Sequence, residues 1–225
     1  MTTQISATHV KSLRDRTGAG MMDCKNALVE ANGDEEKAVE IIQKKGLAKA
    51  AKKAGAIAAE GVIHSYIHAG ARLGVIVEVN CQTDFVARSP EFLDFVNEVG
   101  LQIVSMTPSF VRREDIPETD KANQRRFFLE QMAEEEATTG KKRPEEAKAK
   151  IIEGKLDKWM SEACLDEQMS IRNHDQSIKQ IADTLSAKLG EKIAVRRFIR
   201  MELGEGIERK KADLAADVAE ALKGA

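Results

Sequence analysis

Histidine and cysteine side chains are the first candidates for metal binding or nucleophilic chemistry in this sequence. His64 and His68 lie four residues apart in a segment that alternates like a β-strand, where this spacing places them on one face. Because no cysteine or third histidine lies nearby, we predict no metal site there. The cysteines Cys24, Cys81 and Cys164 are odd in number and far apart, which argues against a disulfide framework and a thiolate metal site.

Residues 80–88 (NCQTDFVAR) place an acid beside an aromatic ring, between a predicted strand and a predicted helix. A loop in that position presents its side chains from a rigid base. Phe85 could insert into an apolar pocket of a partner, while Asp84 meets a cation or the positive end of a helix. Alternatively, Thr83 or Asp84 caps the following helix and Phe85 covers the sheet edge. The residues alone leave both interpretations open.

Two adjacent methionines, Met21 and Met22, follow the glycine-containing turn at residues 18–20. Methionine fills gaps in cores and also serves as an adaptable surface anchor. Two neighbours at the start of a helix point in different directions, so we expect one of them to be exposed for a partner. Packing of both side chains at the turn is the alternative.

Five lysines form a basic cluster with no acid among residues 42–59. They are Lys44, Lys45, Lys49, Lys52 and Lys53. Such a cluster could contact phosphates, but no aromatic residue interleaves it. We therefore interpret the lysine cluster as the solvated face of a connecting segment.

The elements that must position these side chains fall into two predicted units. Residues 1–46 contain three short helical patterns, the third beginning at a cap on Asp34 and ending at Gly46. Residues 47–56 are rich in alanine and lysine, which predicts a helical or semi-rigid linker. Beyond this linker the apolar period changes to two, so a boundary lies here.

Residues 57–206 are predicted to form an α+β core with a small, mainly antiparallel sheet. Alternation on both sides of residues 69–72 predicts a β-hairpin, and Ser89-Pro90-Glu91 is typical of a helix start. A third strand is predicted from alternating Ile193, Val195, Ile199, Met201 and Leu203.

Two charged helical segments, at 121–139 and 145–163, predict a projecting helical hairpin within residues 121–163. Residues 207–225 carry a narrow apolar stripe that predicts a C-terminal helix.

Composition excludes several classes of function. The 225 residues contain 35 Lys plus Arg against 37 Asp plus Glu, so overall charge does not favour nucleic acid and we expect no direct nucleic-acid partner. Only 4% are aromatic, which argues against a stacking platform for single strands. No stretch is long and apolar enough to span a membrane and no secretory signal is evident, so we expect a cytoplasmic protein, or one in an equivalent organelle interior, without membrane contact. A phosphate-binding loop is also missing, which argues against a common nucleotide hydrolase.

Five segments resemble translation elongation factor Ts of the bacterial or organellar type, in its short single-core form. They are residues 16–25 (RTGAGMMDCK), 48–54 (AKAAKKA), 64–74 (HSYIHAGARLG), 79–87 (VNCQTDFVA) and 196–208 (RRFIRMELGEGIE). Because they follow one another over nearly the whole chain, the resemblance is more specific than any single motif. Members of that family are guanine nucleotide exchange factors that bind elongation factor Tu, a GTPase, and promote GDP release without covalent chemistry or a cofactor.

The resemblance implies roles for particular residues. Residues 1–46 correspond to a ubiquitin-associated-like three-helix module that docks on the nucleotide-binding domain of the partner, with Leu13, Met21 and Met22 at contact positions. His68 is a further candidate contact. The segment implied to enter the partner near its magnesium site and dislodge the ion is Thr83, Asp84, Phe85 and Val86.

Two further expectations concern partners. A short single core may need completion by self-association, so we predict a homodimer. The competing class of function is a non-catalytic protein- or nucleic-acid-binding module that uses residues 1–46 and the lysine cluster. That class predicts steep salt dependence on RNA or DNA and no requirement for Asp84 or Phe85.

Overall fold

The computed structural model describes residues 5–52, 55–140 and 142–207. Helices and a small antiparallel sheet make up this part of the chain, which confirms the predicted α+β class. The elements in chain order are α1 (Ala7–Thr17), α2 (Met21–Glu30), α3 (Glu35–Lys52), β1 (Glu60–Ile67), β2 (Leu73–Cys81), α4 (Asp84–Ala87), α5 (Pro90–Met106), α6 (Glu118–Thr139), α7 (Glu145–Ala163), α8 (Ile178–Leu189) and β3 (Ala194–Glu202). The helix predicted for residues 207–225 lies, from residue 208 onward, outside the described residues.

Helices α1 to α3 form a separate small core at the N-terminal end. Ser6 caps α1 by accepting a hydrogen bond from the backbone N–H of His9, and Gly18 ends it in a left-handed conformation. The side chains buried between the helices are Val10, Leu13, Cys24, Ala27, Leu28, Ala31 and Ala38. The predicted end of the third helix at Gly46 is wrong, because α3 continues to Lys52.

The sheet has the order β1-β2-β3 with both pairs antiparallel. Its inner face buries Val75, Val77 and Val79 against α5, so the predicted β-hairpin and its buried face are confirmed. Gly61 has φ +140°, and a Cβ there would lie 2.1 Å from the carbonyl oxygen of Val79, so this position requires glycine.

Strand β3 contains a β-bulge that the sequence alternation did not predict. Val79 pairs with Val195 whereas Glu78 pairs with Arg197, so Arg196 is an extra residue. The bulge reverses the faces beyond it: Phe198 packs on the core, and Ile199 points outward with 64% of its surface exposed. The prediction of one uninterrupted alternation from Ile193 to Leu203 is therefore wrong.

The predicted helical hairpin is confirmed as α6 and α7, which run antiparallel. Glu136 on α6 pairs with Lys148 on α7 at 3.1 Å, and the amide oxygen of Gln131 accepts a hydrogen bond from Lys155 at 2.8 Å. Near the base of the hairpin, Arg113 binds the carboxylates of Asp157 and Glu167. None of the helices in the described ranges has the length and apolar character needed to cross a membrane.

Candidate functional site

The segment that follows β2 is a single helical turn rather than an open loop. The backbone N–H of Val86 donates to the side-chain oxygen of Thr83 at 3.4 Å, so Thr83 is the N-cap of α4. Ser89 then caps α5 in the same way, with Pro90 in the first turn, as the sequence predicts. Two helix starts in succession therefore fix the backbone on both sides of the turn.

Phe85 points away from this turn into solvent. Its side chain is 83% exposed, whereas Val86 and Ala87 pack on the core below it. Of the alternative in which Thr83 or Asp84 is a cap and Phe85 covers the sheet edge, the first part holds for Thr83, although the helix it caps is α4 and not α5, and the second part is wrong. A helical turn sends successive side chains in different directions, and burial of the two following residues turns the ring outward.

Asp84 forms a surface ion pair with Arg88 one turn further along. An oxygen of its carboxylate lies 2.8 Å from a guanidinium nitrogen of Arg88, whose side chain is exposed, and Asp84 itself is half-buried but open to solvent. Exposed pairs of this kind stabilise a protein by less than about 1 kcal/mol, so Asp84 can exchange Arg88 for another cation at little cost.

The turn is also held by a residue that the sequence analysis did not identify. One carboxylate oxygen of Glu191 accepts hydrogen bonds from the backbone N–H groups of Gln82 and Thr83, both at 3.0 Å. The other accepts from the Thr83 hydroxyl at 2.6 Å. Glu191 lies 108 residues beyond Thr83, so no local pattern in the sequence indicates this contact.

Met21 and Met22 both lie exposed at the start of α2, with 46% and 65% of their surfaces open to solvent. We expected one to be exposed, and the structure exposes both because α2 begins at these residues, directly after Gly20. Leu13 is different: it is 0% exposed, since it faces α2 within the N-terminal core. The expectation that its side chain meets a partner directly is therefore not supported.

His64 lies on the inner side of β1 near Gly100 of α5, and His68 directly follows the end of β1. The Nδ1 atom of His68 is 3.2 Å from the Tyr66 hydroxyl, and the buried Nε2 of His64 has no hydrogen-bond partner. Within the described part of the chain, no three His, Cys, Asp or Glu side chains lie close enough together to bind a metal ion.

The cysteine thiols are unsuited to nucleophilic chemistry. Cys24, Cys81 and Cys164 are all buried and free. Burial raises the pKa of Cys81 and of Cys164 to about 11, so both remain protonated near neutral pH.

The exposed candidate residues fall into two regions of the molecule. Gly18, just before the methionine pair, lies against the side chain of Lys188, whose ammonium nitrogen is 3.6 Å from the carboxylate of Glu91 at the start of α5. Lys188 therefore links the turn before the methionine pair to the start of α5, which follows the Phe85 turn. His68 precedes the hairpin turn at the other end of β2, about 25 Å away at 3.3 Å per strand residue.

Similarity to known proteins identifies the family of this chain. The sequence model of the family described as "Elongation factor TS" matches residues 8–205. The chain belongs to the elongation factor Ts family. It is similar to the elongation factor Ts of Desulforamulus reducens, with 49% identity over 98% of this chain and 99% of the relative. The Carboxydothermus hydrogenoformans relative is 51% identical over 97% and 98% of the two chains, and the Myxococcus xanthus relative is 48% identical over the same shares.

Membership of the elongation factor Ts family makes this chain a translation elongation factor. The family match includes the N-terminal helices from residue 8, the hairpin, the Phe85 turn and β3. Both exposed clusters, the methionine pair and the Asp84-Phe85 turn, lie within the matched residues.

Proposed function

We propose that this chain is a guanine nucleotide exchange factor that binds elongation factor Tu carrying GDP and promotes GDP release in the cytoplasm or an equivalent organelle interior. The observation that carries the proposal is the exposure of Phe85 beside Asp84, on a helical turn fixed at both ends. An exposed ring on a rigid base loses little conformational entropy when a partner buries it. Membership of the elongation factor Ts family supports the same conclusion.

Phe85 supplies enough free energy for a useful rate effect. Complete burial of such a side chain stabilises a complex by about 1.5–3 kcal/mol. If this burial occurs only in the partner conformation that releases GDP, every ~1.4 kcal/mol accelerates release about tenfold. One buried ring therefore supports an acceleration of about ten- to a hundredfold.

Asp84 acts on the ion that holds the nucleotide. Carboxylate oxygens are good magnesium ligands, and a negative charge near the phosphates of GDP is repelled by them. In our proposal Thr83, Asp84, Phe85 and Val86 enter the partner near its magnesium site, where the carboxylate disturbs the ion and the ring fills an apolar pocket. The exchange consists of non-covalent steps, so it requires no cofactor of this chain.

The methionine pair is the second contact in this proposal. Met21 and Met22 present flexible apolar side chains that adapt to a partner surface, here the nucleotide-binding domain of elongation factor Tu. Leu13 supports the pair from the core of the N-terminal helices. His68 would meet a separate part of the partner, because it lies at the other end of β2.

Thermodynamic linkage makes the exchange reversible. Whatever factor lowers the affinity of elongation factor Tu for GDP must lower its affinity for the exchange factor when GDP rebinds. Exchange is therefore reversible, and the concentrations of the two nucleotides decide which way it runs.

We also propose that the chain forms a homodimer through the outer face of its sheet. Five apolar side chains are exposed on this face: Ile63, Ile67, Ile76, Ile199 and Met201. Between them Glu78 pairs with Arg196 and Arg197 at 2.7 Å, which neutralises part of the charge at the centre. A two-fold dimer uses the same patch on both copies, and two such faces pack as stacked sheets.

The alternative function is a non-catalytic module that binds a protein or a nucleic acid. Its basic surface would be the lysine cluster, but Lys44 pairs with Glu40 and Lys45 with Glu30. These ion pairs lower the positive charge available to phosphates, so we favour the exchange function.

The test is release of a fluorescent GDP analogue from elongation factor Tu, followed with and without this chain. The exchange function predicts that catalytic amounts accelerate release. The alternative predicts no acceleration at saturating protein, together with RNA binding that weakens steeply as salt increases.

A further inference from the structure

The turn that carries Phe85 is short, and its two helical backbone hydrogen bonds, from Ala87 to Thr83 and from Arg88 to Asp84, are both 3.2 Å long. Helix α4 is only four residues long, and its side-chain cap, from Thr83 to Val86, is 3.4 Å long. A single helical turn is not stable by itself, because nucleation fixes several dihedral angles for one hydrogen bond. The orientation of Phe85 therefore depends on contacts from elsewhere in the chain as well as on the local caps and on the burial of Val86 and Ala87.

Glu191 makes the strongest of these contacts. Its carboxylate accepts from two backbone N–H groups and from one hydroxyl, at 2.6–3.0 Å. Hydrogen bonds to an ionised acceptor are about twice as strong as those between neutral groups. The contact is reciprocal, since the side-chain oxygen of Gln82 accepts from the backbone N–H of Lys192 at 3.1 Å.

The end of α8 directs Glu191 to this place. Gly190 ends the helix with φ +72°, a left-handed conformation that turns the chain towards the end of β2. The same helix lies against the N-terminal module, where Ala187 meets Gly46. Helix α8 therefore contacts the N-terminal module, which carries the methionine pair, and the residue that follows its end, Glu191, contacts the turn that carries Phe85.

We propose that Glu191 is a positioning residue for nucleotide exchange: it holds Thr83, and through Thr83 it fixes Asp84 and Phe85 in the orientation that enters the partner. The inference rests on the proposed exchange function and deepens it. Glu191 acts mainly through the length of its side chain, which lets the carboxylate reach three donors of the turn, and its charge strengthens these hydrogen bonds without being required for them.

Two substitutions distinguish the effect of the side-chain length of Glu191 from the effect of its charge. Glu191→Gln keeps the length of the side chain and removes the charge, so the amide oxygen still accepts from the backbone and the amide nitrogen donates to the Thr83 hydroxyl. Glu191→Asp keeps the charge and shortens the side chain by one methylene, so the carboxylate no longer reaches Thr83. Asp183→Ala is the matched control, since it removes a surface ion pair with Lys179 on the same helix.

The first readout is the mobility of position 85 without any partner. In a Trp159→Phe, Phe85→Trp background, the introduced indole is the single tryptophan, and its time-resolved anisotropy reports local motion. We expect greater motion in Glu191→Asp, and motion close to that of the background in Glu191→Gln and Asp183→Ala. Unchanged motion in Glu191→Asp, in a protein that circular dichroism shows to be folded, would overturn the proposal.

The second readout is the exchange rate with the native Phe85. We expect Glu191→Asp to lower kcat/KM for GDP release about tenfold, as a small misplacement of a reacting group does, and Glu191→Gln to stay within about threefold of the wild type. In an Asp84→Ala, Phe85→Ala background, where both positioned side chains are gone, Glu191→Asp should slow exchange no further. Loss of activity in Glu191→Gln with retention in Glu191→Asp would contradict the proposal, because it would show that the charge of Glu191 matters and the length of its side chain does not. A wild-type chain that fails to accelerate release would overturn the proposed function and leave the mobility result standing.

Discussion

Gly46 in α3 lies directly against Ala187 in α8, and a Cβ added to Gly46 would come within 2.9 Å of the Cβ of Ala187. Real Cβ atoms essentially never approach so closely, so the glycine permits this helix contact. The N-terminal helices and the sheet core meet at this point. Gly46 is thus a packing residue within a helix, and not the helix end that its type suggested.

Alanine at position 46 should disturb the contact between the two units. Gly46→Ala must push α3 away from α8, which offsets the gain that alanine normally gives a helix. Gly154→Ala is the matched control, since Gly154 lies within α7 and has open space around its Cα. We expect Gly154→Ala to raise the free energy of unfolding by about 0.5–1 kcal/mol. Gly46→Ala should give no increase and should speed amide hydrogen exchange in α3; equal stabilisation by both would contradict the packing argument.

Removal of the Phe85 ring should slow exchange and leave the fold unchanged. Because the ring is exposed, Phe85→Ala should alter the free energy of unfolding by less than about 0.5 kcal/mol. We expect GDP release to slow about ten- to a hundredfold, the effect of one buried ring. Phe127→Ala removes another exposed ring, on α6, and should retain the wild-type rate. Equal rates in the two variants would remove the ring from the mechanism.

A charge on the outer face of the sheet should prevent dimer formation. Ile199→Lys places an ammonium within the exposed apolar patch, directly across from Ile76 on the central strand, where the partner copy would have to bury it. Light scattering after size exclusion should give twice the chain mass of 24.8 kDa for the wild type and a single chain mass for the variant. Leu129→Lys, at an exposed position on α6, should remain dimeric. A wild-type monomer at all working concentrations would reject the dimer.

Asp166 should make the protein less stable as the pH rises from about 4 to about 6. Burial raises the pKa of its carboxyl from 3.8 to about 6, against the attraction of Arg112 at 3.7 Å. The folded state therefore binds this proton more tightly than the unfolded state, and its contribution to stability is lost as the pH rises through 6. Asp166→Asn should remove this loss. Measured by urea unfolding, the free energy of unfolding of the variant, relative to that of the wild type, should therefore be higher at pH 7.5 than at pH 4.5. The same pH dependence in the wild type and the variant would contradict this assignment.

Local patterns predicted those parts of the fold that local interactions determine. The Ser89-Pro90 helix start, the hairpin around residues 69–72 and the helical hairpin were predicted from caps, turn residues and periodicity. The outward orientation of Phe85 was one of two open alternatives. It was decided by the burial of Val86 and Ala87, which depends on the packed core.

The remaining features depend on contacts between distant parts of the chain. At the bulge, Glu78 on β2 binds the guanidinium groups of both Arg196 and Arg197 across the strands, a pairing that the alternation of β3 alone does not indicate. Glu191 reaches Thr83 only after α8 has packed on the core. Leu13 was assigned to a partner from a family resemblance, and only the packing of α1 on α2 shows that it is buried.

The magnesium dependence of GDP release tests the central claim most directly. Stopped-flow release of fluorescent GDP from elongation factor Tu would be measured at millimolar magnesium and with magnesium chelated, using the wild type, Asp84→Ala and Phe85→Ala. Our account predicts strong acceleration by the wild type at millimolar magnesium and a smaller one without the ion. Asp84→Ala should be slower than the wild type only when magnesium is present, whereas Phe85→Ala should be slower under both conditions. Equal acceleration by all three proteins, or an acceleration that does not depend on magnesium, would contradict it.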